Sequence, residues 1–177
     1  MTVNGDSVKP KPRTTLPSAP VAGWKALTIH RDERGDVREL WRASWGTPPV
    51  LQTVRSFSRK GVIRGMHYHK RQWDIWAFVE GEARVQLYEP ATADWKYLHS
   101  VGPETTIVVP PTVAHGFQAL TDCILVYGLT EEYTGTDEYG FDPLFGWPGA
   151  GLWAPGEPII SERERNAPVL ADFLATL

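Results

Sequence analysis

The sequence predicts an all-β protein, closed into a barrel or sandwich, with one short helix at its C-terminal end. Short apolar or alternating runs recur from Trp24 to Leu129, each of strand length. Turn residues separate them, so antiparallel hairpins are the natural connections. No helical period is sustained before Ser161. Many strands with little helix close on themselves or pair as two sheets.

Taken in order, Val8 to Pro20 sets Pro10, Pro12, Pro17 and Pro20 among Lys9, Lys11 and Arg13 without apolar periodicity. Residues 1–22 are therefore expected to be a flexible arm, and 23–177 one domain. Leu27 to His30 is the first strand run, and Asp32-Glu33-Arg34-Gly35 reads as a hairpin turn after it. Val50 to Val54, Gly61 to Ile63 and Ile75 to Val79 follow. Glu80-Gly81-Glu82 turns the chain into Ala83 to Tyr88, whose clean alternation is that of a half-buried strand. Thr106 to Val109, Gly116 to Leu120 and Cys123 to Leu129 complete the set, the last two joined at Thr121-Asp122. Phe141 to Glu157, rich in Gly and Pro, is expected to be a fixed loop near the mouth of the barrel. Ser161 opens a capped, charged turn into a C-terminal helix interrupted by Pro168.

A chain of 177 residues with 42% hydrophobic and 22% charged content has the size and apolar share of one globular domain. Its net charge of −3 gives no whole-chain attraction for nucleic acid or a membrane surface. The single cysteine, Cys123, excludes an intrachain disulfide framework and fits a reducing cytoplasm. The first residues lack the basic and apolar regions of a leader, and no apolar run approaches spanning length, so a cytoplasmic location is expected. The eight tryptophans are expected mostly in the core or at a subunit interface.

The chemistry concentrates in His67-Tyr68-His69 with Asp74 and Gly81, and in Pro110-Pro111-Thr112-Val113-Ala114-His115 downstream. Residues two apart on a strand share a face, so His67 and His69 can enter one cavity that Asp74 and His115 close. Three imidazoles and a carboxylate suit a divalent metal such as Fe, Mn, Ni or Zn, and equally suit acid/base work on a substrate. Each residue also has a plainer reading. A His-x-His pair is often two satisfied polar side chains, and His115 suits a structural histidine bonding backbone at a strand start. Glu162-Arg163-Glu164-Arg165 has the look of a solvated helical start with i,i+3 pairing. Tyr133 can be a packed aromatic, Arg64 a surface charge, and Trp73 or Trp76 either core or a pocket wall.

The first motif, His67-x-His69-x4-Asp74-x6-Gly81, resembles the first cupin signature with Asp for the usual Glu, and Pro110 to His115 resembles the second, with Thr112 where glycine is usual. More narrowly, Asp32-Glu-Arg-Gly35, Gly61-Val-Ile-Arg-Gly-Met-His-Tyr68, Val109 to Phe117 and Ile160-Ser-Glu-Arg-Glu164 resemble, in order, the landmarks of the dTDP-4-dehydrorhamnose 3,5-epimerase family of the cupin superfamily. The likeness spans Trp24 to Phe173. It implies a cupin jelly-roll barrel, usually a homodimer, and an isomerase that needs no cofactor. The substrate implied is a nucleotide-linked 4-keto-6-deoxyhexose, which loses a proton next to its ketone and regains one on the opposite face. His67 matches the general base, Glu164 the carboxylate that orients it, one methylene longer than the family's aspartate, and Tyr133 the acid on the other face. Arg34 and Arg64 match positions that hold the diphosphate, and Gln52, Trp73 and His115 complete the expected substrate-binding set.

The chain departs from the family pattern at three places. His69 stands where Gln is usual, Asp74 where a Lys helps to stabilise the enolate oxygen, and Val54 near a usual polar contact. Exchanging Lys for Asp beside a developing anion changes a pairwise term of roughly 4 kcal/mol at an effective dielectric of about 20. The rival reading is a metal-dependent cupin enzyme, an isomerase or an oxygenase: a metal on His67, His69, Asp74 and His115 would restore positive charge there, and in the isomerase Tyr133 or Glu164 would then take the proton. A non-catalytic sugar-binding cupin is the third reading.

Overall fold

The structure is a computed structural model that describes residues 22–177. Most of the arm expected over 1–22 thus lies outside the described residues, while Ala22 is already packed into the core. Ten strands in two five-stranded sheets carry the main body. The first sheet has the order β1 (Gly23–Ala26), β9 (Thr105–Val109), β6 (Asp74–Glu80), β11 (Cys123–Leu129), β4 (Gln52–Ser58). The second has the order β12 (Tyr139–Gly140), β5 (Ile63–Tyr68), β10 (Ala114–Ala119), β7 (Ala83–Glu89), β8 (Asp94–Val101). Every pairing within them is antiparallel. The hairpin of β2 (Ile29–Asp32) and β3 (Gly35–Arg38) forms a separate two-stranded ribbon. This is the jelly-roll barrel that the two signatures imply.

One core, built on Phe78, Val85, Leu87, Ile107, Val109 and Phe117, fills the space between the sheets. A second, built on Ile63, Met66, Tyr68, Phe141, Trp147, Trp153 and Phe173, lies where the C-terminal segment covers the second sheet. That cover corrects the half-buried expectation for Ala83 to Tyr88. Gln86 and Tyr88, on the polar side of the alternation, are as buried as their neighbours, and Gln86 Nε2 donates to the Gly149 carbonyl at 3.2 Å. The Phe141 to Glu157 stretch is fixed partly by the indole N–H groups of Trp147 and Trp153, which both donate to the Pro143 carbonyl at 2.9 and 2.8 Å.

Boundaries shifted where charge masked a strand. β8 carries Asp94, Lys96 and His99, and β3 carries Asp36 and Arg38, so neither shows as an apolar run. The tail forms two short helices, α1 (Glu162–Arg165) and α2 (Leu170–Leu174), with Pro168 between them. Two turns need a left-handed backbone. Gly81 has φ +75, and a Cβ there would meet the Asp122 carbonyl oxygen at 2.1 Å. Thr112 keeps φ 67 at the position where the second signature has glycine, at a cost of roughly 1 kcal/mol.

Candidate active site

A cavity of about 360 Å³ opens between the sheets. Gln52 and Val54 reach it from β4, Arg64 and His67 from β5, and Asp74 and Trp76 from β6, with Tyr133 on the loop beyond β11. His67 is the half-exposed base-type residue on this wall, with 29% of its side chain open. Its Nε2 lies 3.6 Å from Glu164 Oε1, and its Nδ1 lies 3.8 Å from Glu138 Oε1.

Glu164 is buried, which corrects the solvated reading for this residue. Helix α1 is a single turn, and its capping box folds Glu164 back on Ser161. Oε2 accepts from the Ser161 amide at 2.9 Å and its hydroxyl at 2.8 Å, while Oε1 accepts from the Gly65 amide at 3.1 Å. Glu162 and Arg165 on the same turn stay exposed. Burial raises the Glu164 pKa, but the His67 imidazole and the Ser161 and Gly65 donors outweigh it and bring the carboxyl to about 2. The anion beside His67 is thereby fixed in place and in charge.

Below it lies a second cluster. His69 Nδ1 is 2.5 Å from the Asp137 carbonyl and His115 Nδ1 is 3.0 Å from the Val113 carbonyl. A carbonyl only accepts, so both Nδ1 atoms carry their protons and both Nε2 atoms are turned toward Asp74, at 3.9 and 3.6 Å. Asp74 is itself held, with Oδ1 accepting from Gln72 Nε2 at 2.8 Å and Oδ2 from Trp76 Nε1 at 3.1 Å. Burial pushes the Asp74 carboxyl up, and the His115 and His69 imidazoles with the Trp76 N–H pull it down further, to about 2.

Comparison with known proteins places this geometry. A model of the family described as dTDP-4-dehydrorhamnose 3,5-epimerase matches residues 21–172. The chain belongs to the dTDP-4-dehydrorhamnose 3,5-epimerase family. It is 31% identical over 159 residues to the dTDP-4-dehydrorhamnose 3,5-epimerase of Streptomyces griseus, covering 80% of this chain and 78% of that protein. It is 30% identical over 161 residues to a dTDP-4-dehydro-6-deoxyglucose 3-epimerase of Streptomyces bikiniensis, covering 81% of each. Among solved structures, ChmJ, a 3'-monoepimerase from Streptomyces bikiniensis in complex with dTDP-quinovose, superposes with a TM-score of 0.76 at 28% identity, over 85% of this chain and 84% of that one. The dTDP-4-dehydrorhamnose 3,5-epimerase of Sulfolobus tokodaii superposes at 0.75 with 28% identity, over 85% and 90%. The protein is an isomerase of the nucleotide-sugar epimerase class.

Within this epimerase fold the expected site residues divide. His67, Gln52, Arg64 and Tyr133 share the cavity, where the Gln52 side-chain oxygen accepts from the Tyr133 amide at 2.7 Å. Arg64 donates to Ser58 Oγ at 3.0 Å and to the Phe57 carbonyl at 3.3 Å, with no carboxylate partner among the described residues. Arg34 lies outside the cavity on the β2–β3 ribbon, paired with Asp32. Trp73 does not line the cavity; Trp76 does. His115 sits behind Asp74, buried, rather than on the cavity surface.

The four-ligand metal set is not assembled either. His69, Asp74 and His115 each offer a ligand atom within 4.8 Å of the others, while the His67 nitrogens face Glu164 and Glu138. His67 and His69 both line the cavity, as their two-residue spacing implies, but β5 ends at Tyr68, and His69 lies beyond the regular strand with its ring against Asp74. Sequence reasoning missed Gln72, Glu138 and Arg163 as lining residues. Gln72 is placed by Asp137, whose carboxylate accepts the amides of Lys70, Arg71 and Gln72 at 2.9, 3.0 and 3.1 Å. Only the fold brings Glu138 to the site.

Proposed function

We propose that this protein epimerises a dTDP-linked 4-keto-6-deoxyhexose. His67 removes the proton next to the ketone, Glu164 holds the imidazole in position, and Tyr133 returns a proton from the opposite lip of the cavity. The single observation that carries this reading is the His67–Glu164 pair, in which a buried, fully hydrogen-bonded anion stands 3.6 Å behind an imidazole open to the cavity. The relatives support the substrate class: ChmJ holds dTDP-quinovose, and the Streptomyces proteins act on dTDP-4-dehydro sugars. Arg64, lacking a carboxylate partner, is the cavity cation suited to the diphosphate. The repulsion expected from Asp74 is moderated by the Trp76 N–H and the Gln72 amide, which donate to its two oxygens.

The test is incubation with dTDP-4-dehydro-6-deoxyglucose in deuterium oxide, followed by NMR. Deuterium is expected at one or both carbons flanking the ketone, and His67→Asn is expected to slow its entry at least about 100-fold. Binding without deuterium entry overturns the reading in favour of a sugar-binding cupin that has lost turnover.

A second reading is favoured by one observation. The Nδ1 protons of His69 and His115 are committed to backbone carbonyls, and this leaves Nε2 as the ligating atom beside an oriented carboxylate, the arrangement that supports a bound divalent ion. Fe, Mn, Ni or Zn on His69, Asp74 and His115 would supply Lewis acidity at the cavity floor. Elemental analysis of untagged protein decides it: near-stoichiometric metal, lost in His69→Ala, supports the ion. A homodimer in the cytoplasm completes the proposal. Trp24, Leu51 and Phe57, at 55%, 65% and 47% exposure, leave apolar surface for a partner on the first sheet, and light scattering gives the mass.

A further inference from the structure

His67 stands between two carboxylates, and they are not equivalent. Glu164 forms part of the wall away from the sugar cavity and spends its oxygens on Ser161 and Gly65. Glu138 lines the cavity, shows only 13% side-chain exposure, and faces the other ring nitrogen at 3.8 Å. Its single strong partner is Arg163, whose Nη2 donates at 2.8 Å. The backbone on either side is fixed. Asp137 accepts three amides of the Lys70 to Gln72 loop, and Tyr139 begins β12, which pairs with β5 so that Gly140 lies opposite His67. That approach is close, since a Cβ on Gly140 would meet the Met66 carbonyl oxygen at 2.2 Å. Behind this partition a second cavity, of about 320 Å³, also reaches His67, Glu138 and Arg163.

We propose that Glu138 is a positioning residue for the proton abstraction, holding the reacting edge of His67 from the cavity side while Arg163 keeps the carboxylate from collapsing onto the ring. The inference rests on the reading of His67 as the base. In the step concerned, the C–H bond next to the ketone breaks, its electron pair moves into the enolate, and the proton goes to His67 Nδ1. The imidazolium so formed lies between the Glu138 and Glu164 carboxylates, and Glu138 fixes the ring angle from which Nδ1 meets the carbon. The neighbours that bear on the ring are Glu164 and Arg163 from α1, Glu138 from the segment before β12, and His115 across the strand pair, its ring centre 6.3 Å away.

The test compares Glu138→Gln and Glu138→Asp with wild type and His67→Asn. It uses dTDP-4-dehydro-6-deoxyglucose, unlabelled and deuterated at the carbon that reacts. Glu138→Gln is expected to lower kcat by about 10- to 100-fold with KM within about twofold. It is also expected to enlarge the deuterium isotope effect as C–H cleavage becomes limiting, with Glu138→Asp recovering part of the loss. Arg163→Met, which frees Glu138 to swing, is expected to raise the isotope effect in the same sense and serves if the Glu138 variants do not fold. Unchanged kcat and isotope effect in Glu138→Gln, with His67→Asn inactive, overturn the inference and leave the functional reading standing. A loss of melting temperature without a change in the isotope effect also overturns it, by assigning Glu138 a structural role. Full turnover by His67→Asn removes the base reading itself.

Discussion

Asp74 and Glu164 are both carboxyls brought to about 2 in the folded chain, from ordinary values of 3.8 and 4.5. A depressed folded pKa contributes stability that is present above the ordinary value and is lost as pH falls toward the folded one. The melting temperature is therefore expected to hold near neutrality and to drop between about pH 4.5 and 2, and Asp74→Asn is expected to flatten the lower part of that drop. Asp74→Asn also places an amide where Gln72 and Trp76 both donate, so a loss of about 1–3 kcal/mol at neutral pH is expected by chemical denaturation. At this scale the sequence was partly legible. The His67 motif and the Ser161-x-x-Glu164 capping box are local patterns that name their own residues. Glu138 and Gln72 owe their place to a clamp by Asp137 across the chain, for which no local pattern exists.

At the level of the element, turns carry more information than strands. Gly81 was legible because a short Glu-Gly-Glu between two apolar runs demands a tight reversal, and the structure adds the close approach of Asp122 and Cys123. Gly81→Ala would force both a left-handed backbone and a contact of 2.1 Å. Its expected cost is about 2–4 kcal/mol, read as a lower denaturation midpoint. Strands were legible where apolar residues alternate and were missed where charge lies on an exposed edge, as in β8. At the end of β5 the spacing was informative: His67 and His69 both line the cavity although the strand ends at Tyr68, and what spacing alone does not contain is that His69 is the more deeply buried of the two.

Across the whole molecule, the segment from Phe141 to the C-terminal helices covers the second sheet rather than hanging from it as an appendage. Phe173, 2% exposed, packs with Tyr68 and Phe141 at ring-centre distances of 5.2 and 5.6 Å. Phe173→Ala is expected to cost about 3–5 kcal/mol. Activity should fall with stability in that variant, because the same segment carries α1 and its Glu164 to His67; a destabilised variant with unchanged kcat would separate the two. The jelly-roll class was legible from strand-length runs and the two signatures. The coverage of both faces of the second sheet was not, because the covering segment is rich in Gly and Pro and shows no periodicity.

Glu164 has two employments: it closes the first turn of α1 and it orients the base. Those duties cannot drift apart in a lineage. A shorter acid at this position would have to give up either the Ser161 donors or the imidazole, so exchange between aspartate and glutamate among relatives requires a compensating change in how the helix begins. A mutational scan should accordingly find positions 161 and 164 bound by epistasis, with single replacements losing fitness that a matched pair regains.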